Sequence, residues 1–150
     1  MAQPFALQRL LDIATSETET AAANLGGLNR QLQLQEQKLT LLLQYRDDYQ
    51  ARLRRAAANG LNSAGLRNFN DFIARLEQAI QQQRAATDAA RGDAEQGRGQ
   101  WQTKRLKSKA FDTLSLRLST TSTRIEMGRE QKLQDDFASR SGRFKAFEQR

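Results

Sequence analysis

The sequence contains no cysteine and no histidine. Without cysteine there is no disulfide framework and no thiolate chemistry, which suits a reducing cytoplasm. Without histidine the commonest general base and metal ligand is missing. Proline occurs once, at Pro4, so nothing after it breaks a helix by ring geometry. No apolar run exceeds three residues, as at Leu41–Leu43, and nothing here is built to span a bilayer. No basic region leads into an apolar run near the start, so no secretory signal is expected. Apolar residues make up only 38% of the chain and the mean hydropathy is −0.77, too polar for a large globular core. Gln, Arg, Ala and Leu dominate, as they do in long solvent-washed helices.

Compact catalytic motifs are missing as well. Gly92…Gly97-Arg98-Gly99 lacks both the spacing and the Lys-Ser/Thr pair of a phosphate loop. Asp47/Asp48 and Asp135/Asp136 are neighbours in sequence, so on a helix each pair diverges by about 100° and cannot share a proton or a metal. Arg91-Gly92-Asp93 matches a short adhesion tripeptide only by chance inside a helix. The chain therefore reads as a non-enzyme with no cofactor and no metal.

What is present is a stripe. Stepping by fours and threes from residue 7 gives Leu7, Leu11, Ala14, Thr18, Ala21, Leu25, Leu28, Leu32, Gln35, Leu39, Leu42, Arg46, Tyr49, Leu53 and Ala56. Twelve of these fifteen are apolar, the exceptions being Thr18, Gln35 and Arg46. This 3.5-residue period is that of a coiled-coil seam. It predicts one helix over about 5–58, ended by Asn59-Gly60, which tolerates left-handed backbone. A polar loop over 59–65 follows, with Ser63 or Asn68 as the next helix cap. The second helix, about 66–145, opens with Phe69, Phe72, Ile73, Leu76, Ala79, Ile80 and Gln83. It weakens through Ala90, Ala94, Gly97 and Trp101, where Gly92, Gly97 and Gly99 predict a soft or bent stretch and close helix approach. It recovers at Phe111, Leu114, Leu118 and Ile125, and again at Leu133, Phe137, Arg140, Phe144 and Phe147.

The expected fold is all-α: one coiled-coil domain over 1–150, with two long helices in an antiparallel hairpin. The short loop forces the second helix back along the first. The second helix is the longer, so residues past about 125 overhang as a mobile tail. Charge is uneven along the chain. Residues 98–150 hold 13 Lys/Arg against 6 Asp/Glu, while residues 1–97 hold 11 of each, so the later stretch carries the whole net charge of +7. Such a surplus is either a solvated face or a handle for an acidic partner.

Where the first helix closes and the second opens, the apolar residues exceed what one seam needs. Phe69/Ile73/Leu76/Ile80 fills the seam, and Phe72/Leu76/Ala79 makes a second line beside it. Tyr45 flanks the Leu42/Tyr49/Leu53 line. Tyr45, Phe72 and Ala79 are therefore expected to be partly exposed, as a binding hot spot would be.

Several segments carry a family resemblance. They are Phe5-Ala6-Leu7-x-x-Leu10-x-x-Ile13-Ala14, Tyr45-Arg46-x-x-Tyr49 and Asn59-Gly60-Leu61. Asn68-Phe69-x-x-Phe72-Ile73-x-x-Leu76-Glu77-x-Ala79-Ile80, Trp101 with Lys104, and the run Gln131 to Arg140 complete the set. In order and over nearly the whole length, these resemble the FliJ family of flagellar export proteins. The resemblance implies a soluble, non-enzymatic component of the bacterial flagellar type III export apparatus, folded like the stalk of a rotary ATPase. Implied partners are the export ATPase ring, the cytoplasmic domain of the export-gate membrane protein and export chaperones. The implied location is cytoplasmic, peripheral to the inner membrane at the flagellar base through those partners.

By the same resemblance, Leu42, Tyr45, Tyr49, Phe72, Leu76 and Ala79 match the face that docks on the export gate. Lys38 and Gln83 flank it and depart from the family's residue types. Gln131, Lys132, Asp135, Phe137, Ala138 and Arg140 are candidate ATPase contacts. The competing readings are a basic helical hairpin for nucleic acid, a rotary-ATPase stalk subunit and a virulence-type secretion analogue. Against nucleic acid, the basic residues are interleaved with Asp112, Glu126, Glu130, Asp135 and Asp136, and no reading helix is evident.

Overall fold

The computed structural model describes the backbone of residues 2–148 and the side chains of 5–148. Met1, Gln149 and Arg150, the ends of the expected domain, lie outside the described residues. Two α-helices account for nearly all the rest: α1, Ala2–Ala58, and α2, Ser63–Glu148. The protein is an all-α helical hairpin. No described helix is long and apolar enough to cross a membrane.

The joint between the helices is shorter than the sequence suggests, because Asn62 caps α2 ahead of both expected residues. Its Oδ1 accepts the Gly65 N–H at 2.8 Å, which satisfies one of the free donors of the first turn. At the end of α1 the Asn59 N–H reaches the carbonyls of Arg55 and Ala56, each at 3.2 Å. Gly60 then turns the chain with φ of 93°, a backbone conformation that side-chain-bearing residues rarely take.

By contact the chain divides into two compact units, Glu17–Lys104 and the pair Met1–Ser16 with Arg105–Arg150. In the first, α1 and α2 run antiparallel: Tyr49 meets Phe72, Gln35 meets Gln83 and Glu17 meets Lys104. Its α1 seam is the one read from the sequence, with no position from Thr18 to Ala56 exposed. The facing line on α2 is Phe69, Ile73, Leu76, Ile80, Gln83, Thr87, Ala90, Ala94, Gly97, Trp101 and Lys104. Thr87, not read as a seam residue in the sequence, is among its most buried members at 2% exposed.

Two of the seam's polar exceptions are matched across the interface. Arg46 reaches Glu77 at 3.6 Å. Gln35 forms a layer with Gln83 and Thr87. The Gln83 Nε2 donates to Gln35 Oε1 at 2.6 Å and to the Gln35 carbonyl at 3.0 Å. The Thr87 hydroxyl lies 2.8 Å from the Gln83 carbonyl and 3.3 Å from that of Gln35. Among the described residues no buried side-chain nitrogen or oxygen is left without a partner. At Gly97 the helices close together: an added Cβ there would sit 2.6 Å from Leu28 Cδ1. Gly92 and Gly99 face open space, and α2 continues as α-helix through all three.

In the second unit Leu7 and Ala14 are buried, at 9% and 3% exposed, and Leu11 is half-buried. On α2 the seam runs through Ser108, Phe111 and Ser115. The recovery expected at Leu114 and Leu118 is displaced: both are exposed, at 45% and 44%, and Ile125 is exposed as well. The 4-3 line carried on from Lys104 through Ser108, Phe111 and Ser115 passes one residue away from Leu114; Leu118 and Ile125 lie on it but beyond the last covered position. From Leu116 through Glu148 every residue is exposed, so coverage of α2 stops sooner than the expected 125.

Two outcomes test this packing by urea denaturation. Gly92→Ala and Gly99→Ala each stabilise by about 0.5–1 kcal/mol, while Gly97→Leu destabilises by about 1–3 kcal/mol through overpacking. Equal effects at all three glycines would remove the close approach. Gln83→Leu alone leaves the Gln35 side-chain oxygen without its partner and costs about 1–3 kcal/mol, whereas Gln35→Leu with Gln83→Leu recovers most of it. A strictly additive double mutant would dissolve the layer as an energetic unit.

Candidate functional site

The loop-proximal end of the hairpin carries the surplus aromatic residues. Tyr49, a seam residue, fits between two phenylalanines of α2. Its ring centroid is 4.1 Å from Phe72 with the planes 30° apart, and 5.4 Å from Phe69 at 55°. Pairs of this kind add about 0.5–1.5 kcal/mol beyond their burial. The stack consumes only one side of Phe72, which is 41% exposed, and Tyr45 on the next turn of α1 is 54% exposed.

Between these side chains lies an open groove of about 320 Å³, lined by Tyr45, Asp48, Tyr49, Arg52, Phe72 and Leu76. Four of the six residues matched to the docking face therefore share one surface. Leu42 and Ala79 are half-buried and lie outside its lining. Gln83 is occupied in the polar layer with Gln35, and Lys38 is exposed.

Asp48 and Arg52 were not read as part of this surface. They lie three and seven residues after Tyr45, the spacing that puts side chains on one helix face. That signal was available, but exposed charges on α1 are common and nothing in composition marks these two. In the structure neither makes an ion pair, so both charges remain open at the groove's edge. The groove holds no metal-binding cluster; none is found among the described residues. What it can do is accept an apolar side chain between aromatic walls with a carboxylate and a guanidinium beside it.

The other six candidates, Gln131, Lys132, Asp135, Phe137, Ala138 and Arg140, all lie on the exposed part of α2. The structure brings them onto no other element, and their side chains make no hydrogen bond or ion pair. Phe137 is 76% exposed.

Comparison with known proteins places this hairpin. The family model described as "Flagellar FliJ protein" matches residues 3–146. The chain belongs to the FliJ family. Among its relatives, the Flagellar FliJ protein of Salmonella typhi is 33% identical over 141 residues, which is 94% of this chain and 96% of that one. The Flagellar FliJ protein of Escherichia coli (strain K12) matches with the same identity and the same coverage of both chains. FliJ-family membership thus extends across both helices, the loop and most of the exposed stretch of α2.

Proposed function

We propose that this protein is a non-enzymatic component of the bacterial flagellar type III export apparatus. In this reading it is a stalk that couples the export ATPase ring to the export gate and escorts export chaperones. Membership of the FliJ family over residues 3–146 is the observation that carries the flagellar part. The finer role draws support from the division of the molecule. A pinned hairpin presents the aromatic groove at the loop end, and α2 continues as bare helix from Leu116. One chain with two separate free surfaces suits a coupler better than a single-partner module.

The groove is the surface for the cytoplasmic domain of the export-gate membrane protein, with Tyr45 and Phe72 as anchors and Leu42, Tyr49, Leu76 and Ala79 supporting them. Burying an exposed aromatic at the centre of an interface gives the usual anchor energy, so Tyr45→Ala and Phe72→Ala each weaken binding by about 1–3 kcal/mol. Tyr45→Ala leaves the thermal melt unchanged, while Phe72→Ala lowers stability by about 0.5–1.5 kcal/mol through its lost stack on Tyr49. Titration calorimetry against that domain, beside melts of each variant, measures both. A destabilised Tyr45→Ala hairpin that binds as well as wild type would make these residues core and end the docking role.

The exposed run of α2 is the surface for the export ATPase, with Gln131, Lys132, Asp135, Phe137, Ala138 and Arg140 as contacts. Among the described residues, deleting everything after Arg124 removes only exposed ones, so the hairpin keeps its melting temperature. ATPase affinity in a pull-down or calorimetric titration falls about ten-fold or more, equivalent to about 1.4 kcal/mol. Unchanged affinity would move the ATPase contact elsewhere.

A further inference from the structure

Overlapping the stretch assigned to the ATPase at Phe137 and Arg140 and running past it, α2 carries a second pattern. Leu133, Phe137, Phe144 and Phe147 are 68%, 76%, 70% and 83% exposed. At 100° per residue they fall within an arc of about 80° on the helix. No other element covers this arc, and three phenylalanines left in water on one face are unusual for a side that stays wet. Arg140 lies within the arc, Asp136 and then Arg143 follow on one side of it, and Glu148 and then Lys145 on the other. From Phe137 on, the sequence has four basic residues, Arg140, Arg143, Lys145 and Arg150, against the single acid Glu148.

We infer that residues 137–147 bind directly to an anionic lipid surface, lying in the membrane interface with the phenylalanines inserted. Charge complementarity selects the occupant. A second copy would bring the same positive excess against this one, and like charges at close range oppose pairing. An anionic bilayer offers both features the face needs: negative headgroups for the cations, and an acyl boundary for the rings. Arg140, inside the apolar arc, reaches headgroups by extending its long stem. Asp135 and Asp136 lie upstream of most of this face and limit insertion to its distal part. Few inserted rings and few cations make a weak, salt-sensitive attachment, which serves as one of two signals alongside protein partners.

Vesicle flotation with the full chain tests this. Vesicles of phosphatidylcholine alone are compared with vesicles containing phosphatidylglycerol, at low and high salt. Wild type floats about ten-fold more with the anionic vesicles, and high salt abolishes the difference. The variants Phe137→Ser/Phe144→Ser/Phe147→Ser and Arg140→Gln/Arg143→Gln/Lys145→Gln each lose most of that flotation while keeping wild-type helicity by circular dichroism. Because all six positions are exposed, neither variant disturbs the hairpin. The inference is overturned if wild type does not float with anionic vesicles or floats equally with neutral ones. Variants that float like wild type also overturn it. So does retention on single-stranded oligonucleotide or on an acidic protein without flotation, which would assign the face to that partner.

Discussion

The antiparallel pairing of two 3.5-residue seams is the constraint on which the rest of the structure depends. A single helix with this stripe is left with an apolar seam in water, and an isolated helix gains too little from propensity alone to be secure there. Pairing removes the seam from water, but apolar contacts do not choose a register well, since leucine packs nearly as happily one turn away. The register between Glu17 and Lys104 is held by directional contacts. The Gln35–Gln83–Thr87 layer places three polar side chains where only one alignment satisfies them. Arg46 with Glu77, and Lys104 with Glu17, act in the same sense at positions that are partly solvated. Each such exposed pair contributes only about 0–1 kcal/mol, so their role is alignment more than stability. Gly97 adds a steric check, because Leu28 fits against α2 only where a side chain is missing.

Once the register is set, the distribution of free surface follows. At the loop end, α2 begins with more apolar residues than one seam can cover. Phe69 enters the seam, Phe72 is shared between Tyr49 and solvent, and Tyr45 is left outside. The groove is thus the remainder of a packing problem in which two helices cannot bury three apolar lines. At the other end of α2 the remainder is larger. Here the helix outlasts its coverage, and every described residue after Ser115 faces water. A FliJ-family chain with these two remainders presents free surface without spending any of its interior on it.

The polar surface carries information of its own. Asp48 and Arg52 are one helical turn apart, yet both line the groove without forming an ion pair. An open charge beside an aromatic wall restricts what docks there, since an approaching partner must either complement it or strand it. The net charge of +7, concentrated in 98–150, acts on the other surface in the same way.

By itself the sequence determined the hairpin. The fours-and-threes stripe from Leu7 to Ala56 became the covered face of α1 without exception, because a long unbroken period leaves a helix one way to bury itself. The surplus at Tyr45 and Phe72 was legible for the same reason: residues beyond the seam's capacity must lie outside it. Tertiary structure decided what local pattern left degenerate. Asn62, Ser63 and Asn68 are all competent caps, and only the path of the turn selected Asn62. Leu114 is more apolar than Ser108 and Ser115, yet the serines hold the seam, because phase inherited from Gln83 and Lys104 outweighs side-chain hydrophobicity; Leu118 is in phase and still exposed, because coverage ends before it. Thr87 reads as a surface residue until Gln35 arrives opposite it and supplies an acceptor. Asp48 and Arg52 became groove residues only when α2 brought Phe72 and Leu76 alongside. In each case the deciding contact comes from the other helix, which periodicity along one strand of sequence does not encode.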